Sequence, residues 1–278
     1  MKHLTADFRY SFSKLAGYLQ CPRSFYLNYV MKDSEGVGNF FGEVGSWCHS
    51  LLESWAKDEI PAFLLAEEFE AGYDEHVKMA PPPFPKNLGA TSHDQCLSYF
   101  ENFDGFGDEW EVISVEDKFI LTYEGYNISG IADLVLRHKE TGAIRIIDHK
   151  TKSAASMAKE INLYRKQLYL YALWVKQEFG QWPAKLIFNM FKEHTEIVEE
   201  FSIDEMEATK QWFLDTIHEI ETSDVFEDWD TNYSSYFCGQ ICSCAAECDE
   251  YQVQRAEEIE RWKAKKQAEE EMMMYGTS

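Results

Sequence analysis

The sequence predicts an α/β fold in which a mixed central sheet is flanked by helices. Three observations support this prediction. Up to about residue 104, apolar residues recur at the spacing of amphipathic helices. From Trp110 to Thr151 the pattern changes to stretches rich in Ile, Val, Phe and Tyr, which are typical of strands. One long helical pattern then separates these strands from two further ones, so a helix interrupts the sheet in the chain order.

Helices are expected throughout the N-terminal part. Ser11 and Ser13 can cap a helix that runs to about Met31. Pro61 is a favoured first-turn residue for a later helix. The predicted helical ranges are 11–31, about 43–57, about 61–77 and about 94–103, with a proline-rich loop at 80–85.

The remaining elements are strands, followed by helices and further strands. The predicted strands are 110–123, 126–137, 143–151, 184–192 and 196–201. The predicted helices are 157–179, 204–222 and a highly charged one at about 249–273. Thr141 and Gly142 form the turn between the second and third strands.

Composition limits the functions that the chain can have. Of its 278 residues, 45% are hydrophobic and 15% aromatic, which excludes global disorder. The formal charge of −23 excludes a protein that coats DNA non-specifically, because such binding needs a surplus of Lys and Arg. Residues 137–192 are different, with eleven Lys or Arg against four Asp or Glu. This segment indicates a local phosphate-binding groove, although chance clustering on a solvated helix face is the alternative.

The sequence predicts a cytoplasmic protein without a membrane partner. The first ten residues contain no apolar run, so a signal peptide is not expected. The longest apolar stretch, Leu168 to Val175, is too short to span a bilayer.

The strongest candidates for chemistry lie on the 126–151 hairpin. Its turn makes residues whose numbers add up to about 281 face each other, which places Asp133 and Asp148 roughly 5 Å apart. Two such close carboxylates repel each other unless a cation lies between them, and oxygen ligands suit Mg²⁺ or Mn²⁺. Lys150 shares a strand face with Asp148 and can stabilise a scissile phosphate. The alternative is an exposed face with ordinary charges, against which the neighbouring isoleucines argue.

Two helical patterns add candidates. His49 and Glu53 lie four residues apart on one helix face, and His49 can ligate a divalent metal unless it is an ordinary core or surface histidine. Gln167 and Tyr171 have the same spacing, so they either hydrogen-bond a nucleic acid backbone or the catalytic groups, or form a packing face. Glu116 is a weaker candidate for a carboxylate beside the metal.

The cysteines suggest a second metal site. Four of the seven crowd into eleven residues, namely Cys238, Cys242, Cys244 and Cys248. An odd total in a reducing compartment argues against a disulfide framework. Four thiolates can hold an iron–sulfur cluster or a structural zinc, and the absence of any metal is the third alternative. Cys48 and Cys96 fit buried free thiols.

Several short motifs follow one another in a characteristic order. They are Gly45-x-x-x-His49, Gly130-x-x-Asp133, Ile146-Ile147-Asp148-x-Lys150-Thr151 and Gln167-Leu168-x-x-Tyr171-Ala172, preceded by Ser11-x-Ser13 and Tyr18-x-x-Cys21-Pro22. In this order they resemble the PD-(D/E)XK nuclease superfamily, and within it the RecB-like exonucleases, including the CRISPR-associated and AddB-type branches. The resemblance covers about residues 11–248. It departs at Ala132, where the superfamily has proline.

The resemblance implies a restriction-endonuclease-like fold and metal-dependent hydrolysis of phosphodiester bonds in DNA. It implies exonuclease action on single-stranded or end-bearing DNA in replication, recombination or repair. The roles that it implies are metal binding by His49, Asp133, Asp148 and the carbonyl of His149, and catalysis by Asp133, Asp148, Lys150, Gln167 and Tyr171. The basic segment adds Lys152, Arg165 and Lys166 as predicted DNA contacts.

The resemblance also implies a four-iron four-sulfur cluster held by one N-terminal and three C-terminal cysteines. The implied ligands are Cys21, Cys238, Cys242 and Cys248, with Cys244 as a substitute because Cys238 lies one residue outside the family spacing. Zinc at the C-terminal cysteines is the alternative.

One integrated domain is expected, with three regions. Residues 1–104 form a helical region that contributes Cys21 and His49, residues 105–222 form the nuclease core, and residues 223–278 hold the cysteine cluster and a charged helix. The alternative function is a non-catalytic, nuclease-like assembly or DNA-binding module with a structural metal cluster. Its acidic surface would recruit a basic protein partner.

Overall fold

The computed structural model describes residues 4, 7–31, 38–222 and 231–275. The chain divides into two compact units. The larger unit consists of described residues within 2–16 and 38–222, and the smaller unit of described residues within 17–37 and 223–278. The larger unit contains a mixed six-stranded sheet with helices, which confirms the predicted α/β class.

The helices and strands of the larger unit follow the predicted order closely. Its strands are β1 (Arg9–Tyr10), β2 (Trp110–Tyr123), β3 (Tyr126–His138), β4 (Ile144–His149), β5 (Lys185–Met190) and β6 (Thr195–Glu200). Its helices are α1 (Phe12–Gln20), whose last residues belong to the smaller unit, and α3 (Phe40–Ala56), α4 (Leu65–His76), α5 (Leu88–Glu101), α6 (Ala154–Phe179) and α7 (Ile203–Thr222).

The smaller unit is helical among its described residues. It contains α2 (Pro22–Phe25), the π-helical segment Tyr26–Met31, α8 (Ser235–Gln240) and the long helix α9 (Asp249–Tyr275). Helix α9 carries charged residues along its length, as the sequence predicts.

Strand β3 is the centre of the sheet. It pairs along its whole length with β2 in antiparallel orientation. Its other edge is shared, because residues 127–128 pair with β1 and residues 134–137 pair with β4. Within the described chain, residues 129–133 therefore have no strand partner on that edge. Strands β4 and β5 are parallel, and α6 connects them.

Both faces of the central strands are covered. Residues 132–136 of β3 are all buried, as expected for a strand with helices on either side. Helix α3 contacts β2 and β3, and α6 contacts β4 and β5. On its other side, α3 packs against α4 and α5 through an apolar cluster that includes Val44, Leu51, Phe69, Phe100 and Phe191. Helix α3 is thus fixed on two sides, which holds His49 in place.

The structure corrects the sequence at the N-terminus. The predicted helix 11–31 is interrupted, because α1 ends at Gln20 and Cys21 adopts an extended conformation with φ −161°. A residue that precedes proline is disfavoured in the helical region, and Pro22 starts the next helix. Helix α5 begins at Leu88 instead of near residue 94. Strand β1 and helix α8 are short and were not predicted.

None of the described helices combines the length and the apolar character that crossing a bilayer requires.

Candidate active site and metal centre

The β3–β4 hairpin has the register predicted from its turn. Leu134 pairs with Ile147 and Leu136 pairs with Arg145, so the paired numbers add up to 281. Asp133 and Asp148 come directly after the last of these pairs. There the ladder ends, and the backbone N–H of His149 donates to Asp133 Oδ2 at 2.7 Å instead. At the end of the ladder, the Asp133 carboxylate therefore accepts the hydrogen bond that a backbone carbonyl of β3 would otherwise accept from His149.

The two carboxylates are buried. Asp133 is 8% exposed and Asp148 is 1% exposed. Burial, and secondly the nearby charge of Asp148, raises the pKa of Asp133 to about 7. The cost of holding two charges here must be offset by neighbouring cationic groups.

His49 on α3 lies against this pair. Its Nδ1 atom is 3.4 Å from Glu116 Oε1 and 3.6 Å from Asp133 Oδ2. Its Nε2 atom is 3.0 Å from the backbone carbonyl oxygen of His149. Because a carbonyl can only accept, Nε2 carries a proton, and in the neutral ring Nδ1 then presents its lone pair to the carboxylates. Burial lowers the pKa of His49, but Glu116 and the two aspartates together raise it above its ordinary value.

Glu116 belongs to the site more firmly than the sequence suggested. His49, Glu116 and Asp133 each offer one ligand atom, and these three atoms all lie within 4.8 Å of one another. Glu116 has a φ of +47°, a left-handed conformation that is uncommon outside glycine and frequent at functional sites. The signal for it was present in the sequence. The turn at Glu124 and Gly125 sets the β2–β3 register, and that register places Glu116 opposite Asp133.

Lys150, Gln167 and Tyr171 form a chain of contacts that begins at Asp148. Lys150 Nζ lies 2.5 Å from Asp148 Oδ2 and donates to Gln167 Oε1 at 3.0 Å. Gln167 Nε2 donates to the Tyr171 hydroxyl oxygen at 2.7 Å, which fixes the amide with its oxygen towards Lys150. Burial lowers the pKa of Lys150, but the charges of Asp148 and Asp133 outweigh burial and raise it, so the ammonium form is favoured.

The donors present fit a divalent cation. Apart from the Lys150 ammonium, neither oxygen of Asp148 receives a hydrogen bond from the described residues, although both are buried. The group His49, Glu116 and Asp133 combines two carboxylates and one imidazole, which suits a Mg²⁺, Mn²⁺ or related ion. Asp148 stands beside this group and is not a member of it. The carbonyl of His149 accepts from His49, so its contact with a metal stays a prediction.

The His149 ring is buried and contacts the rings of Phe106 and His49. Its Nδ1 atom lies 3.0 Å from Asn189 Nδ2, which also donates to the Tyr99 hydroxyl at 2.8 Å. Burial lowers the pKa of His149 well below its ordinary value, so the ring is neutral. A neutral ring that accepts from Asn189 anchors the backbone that reaches Asp133.

The predicted DNA contacts are engaged with other residues of the protein. Arg165 lies 3.0 Å from Glu199 and 3.5 Å from Glu205, and Lys152 pairs with Glu160. Burial lowers the pKa of Lys166, whose Nζ lies 5.5 Å from the Trp212 ring centre. Their role in binding DNA stays a prediction.

The five candidate cysteines meet in one pocket of the smaller unit. Cys21, Cys238, Cys242, Cys244 and Cys248 all line it, with Tyr233 and Phe237 among the remaining walls. Cys242 and Cys244 are 3.5 Å apart at sulfur, and the other sulfur contacts of Cys244 are to Ser24 and Asn28, each at 3.5 Å. Among the described residues, no three cysteine sulfurs lie within 4.8 Å of one another.

Comparison with known proteins identifies the family of the chain. Residues 9–249 match the model of the PD-(D/E)XK nuclease superfamily. The chain therefore belongs to the PD-(D/E)XK nuclease superfamily. No curated protein sequence matches the chain. Among solved structures, the crystal structure of SSO0001 has 16% identity and a TM-score of 0.38, over 90% of this chain and 89% of that one. This likeness is too low to establish a common fold.

The glycine of the Gly130-x-x-Asp133 motif allows a close approach, which gives a testable prediction. A Cβ atom at residue 130 would lie 2.6 Å from Phe119 Cζ and 3.0 Å from Tyr171 Cε1. Gly130→Ala should therefore move Tyr171 and lower the free energy of unfolding by about 1–3 kcal/mol, measured by denaturant unfolding.

The matched control is Gly17→Ala, where an added Cβ meets nothing within 4 Å. That change should leave stability equal or raise it by up to about 1 kcal/mol. An equal effect of the two substitutions would show that the close packing at Gly130 is unimportant.

Proposed function

We propose that this protein is a metal-dependent DNA nuclease that hydrolyses phosphodiester bonds, acts as an exonuclease and belongs to the RecB-like branch of its superfamily. The single observation that supports this most is the placement of the Lys150 ammonium. It lies between Asp148 and Gln167, next to the group of His49, Glu116 and Asp133, in which Asp133 is buried and the other two are half-buried. A protein that only bound DNA would have no need for such a costly cluster of buried charges.

The metal would be held by His49, Glu116 and Asp133, with Asp148 as a further ligand at their side. A bound Mg²⁺ or Mn²⁺ polarises the phosphate and lowers the pKa of water. The protein supplies the orientation of the ligands. His149 holds Asp133 through its N–H and holds His49 through its carbonyl, so one short backbone stretch positions two ligands.

Lys150 would stabilise the negative charge that develops on the scissile phosphate. An ammonium group has three N–H donors, and the contacts with Asp148 and Gln167 leave one for a phosphate oxygen or a water. The link from Gln167 to Tyr171 keeps the lysine from rotating away. Because the Lys150 side chain is only 18% exposed, its interaction with a phosphate would be stronger than it would be in bulk water.

The cysteine pocket would hold a four-iron four-sulfur cluster. Five thiols line one pocket, whereas such a cluster requires four. A tetrahedral zinc with bonds of about 2.3 Å places its sulfurs roughly 3.8 Å apart. No three of the described cysteine sulfurs come that close together, which favours the larger cluster. We propose Cys21, Cys238, Cys242 and Cys248 as its ligands. Cys244 has polar neighbours in Ser24 and Asn28 and is the substitute.

The nuclease activity is tested with Asp148→Asn, which removes the charge and keeps the shape. Cleavage of a labelled linear single strand in Mg²⁺ should fall by about a thousandfold, because Lys150 loses its partner and the metal loses a carboxylate. A covalently closed single-stranded circle should stay intact with the unaltered protein, as expected of an exonuclease.

The matched control is Asp117→Asn, an exposed aspartate that directly follows Glu116 in β2. The Asp117→Asn protein should cleave the labelled single strand at the rate of the unaltered protein. Full activity of Asp148→Asn, with its unfolding midpoint preserved, would contradict the proposed site.

The cluster is tested by anaerobic purification with a visible absorption spectrum and iron analysis. The unaltered protein should absorb broadly in the visible range and contain about four iron atoms per chain. Cys248→Ser should lose most of the iron, whereas Cys96→Ser should keep it. A colourless protein loaded with zinc would overturn the iron–sulfur assignment.

A further inference from the structure

A groove of about 610 Å³ opens beside the candidate metal centre in the larger unit. His49, Glu116 and Asp133 form part of its wall, and Tyr171 lines it as well. The rest is built by β1, the start of α1 and the neighbouring parts of β2 and β3. A ligand in this groove would therefore run directly past the proposed catalytic group.

The groove carries two cations that have no ion-pair partner among the described residues. Arg9 and Lys118 both line it and are exposed, and no ion pair to either one exists within the described part of the chain. This distinguishes them from Arg165, which two glutamates neutralise. Lys14 also lines the groove, where its Nζ donates to the Arg9 carbonyl at 2.5 Å. Besides the carboxylates of Glu116 and Asp133, the groove thus presents three cationic side chains to an anionic polymer.

Between these cations lies an apolar surface. Ile120 is 51% exposed and Ile131 is 40% exposed, and both line the groove. Lys118 pairs directly with Ile131, and Ile120 lies two residues further along β2, so the three side chains share one sheet face. Exposed isoleucines beside exposed cations suit a ligand with anionic and apolar parts in alternation.

We infer that this groove binds the backbone of a single-stranded nucleic acid, with phosphates on Arg9 and Lys118 and bases against Ile120 and Ile131. In a duplex the base faces are stacked inside and cannot reach the isoleucines, whereas an unpaired strand exposes them. The inference rests on the proposed nuclease function and adds the residues that would hold the strand beside the metal centre. It also assigns binding to residues outside the basic segment 137–192.

The test measures binding separately from cleavage. Asp148→Asn protein is titrated into a labelled thymidine oligonucleotide of about 15 residues, and fluorescence anisotropy is followed between about 50 and 300 mM NaCl. The double variant Arg9→Ala, Lys118→Ala is compared with the control Lys78→Ala, Lys86→Ala. The control removes two exposed lysines that do not line the groove.

Each phosphate contact on a single strand contributes about 0.7 to the slope of log K against log salt. Because the groove variant lacks two such contacts, the magnitude of its slope should be smaller by about 1.4. Its affinity for the oligonucleotide should be roughly 25-fold lower at 0.1 M salt. The control should retain both values. Ile120→Ser with Ile131→Ser should weaken oligonucleotide binding without changing the slope.

The possible outcomes separate the two proposals. If the unaltered protein cleaves DNA but the groove variant keeps the slope and affinity of the control, the groove inference is wrong and the nuclease function stands. If a duplex of the same length binds as tightly as the single strand, the assignment to unpaired strands is wrong. If the unaltered protein neither cleaves nor binds DNA, the proposed function fails, and the inference fails with it.

Discussion

Asp133 and Asp148 bring two carboxylates into the interior of the protein at the point where β3 and β4 separate. In this position they repel each other and have lost most of their hydration, so the surroundings must supply positive charge and hydrogen bonds. The protein supplies part of it with Lys150 and with the backbone N–H of His149. A divalent cation would supply the rest. The main features of the site follow from this one unfavourable pair.

The fold creates the space in which that pair can exist. Because β1 and β4 share one edge of β3, residues 129–133 are left without a partner strand. The missing side chain of Gly130 admits the rings of Phe119 and Tyr171 on the same stretch. From the other edge, Glu116 turns towards Asp133 through a left-handed backbone conformation. Helix α3 packs against the sheet on one side and against α4 and α5 on the other, and it places His49 next to Asp133.

Much of this could be predicted from the sequence because strand pairing follows simple arithmetic. The hairpin turn gave the register that places Asp133 beside Asp148, and helical spacing gave Gln167 with Tyr171. The same arithmetic at the β2–β3 turn places Glu116 opposite Asp133, whereas the residues around Glu116 alone make it only a weak candidate. Ion pairs between distant elements have no local signature, so the partners of Arg165 could not be foreseen. The free cations of the groove, Arg9 and Lys118, lie outside the basic segment and emerged only from the structure.

We propose that His49, Glu116 and Asp133 form the ligand group of a divalent metal. The most direct test is a crystal of the protein grown or soaked with Mn²⁺ and measured for anomalous diffraction. A strong anomalous peak is expected within about 2.3 Å of His49 Nδ1 and of one oxygen each from Glu116 and Asp133. A peak elsewhere in the molecule, or no peak at a Mn²⁺ concentration that supports cleavage, would contradict this proposal.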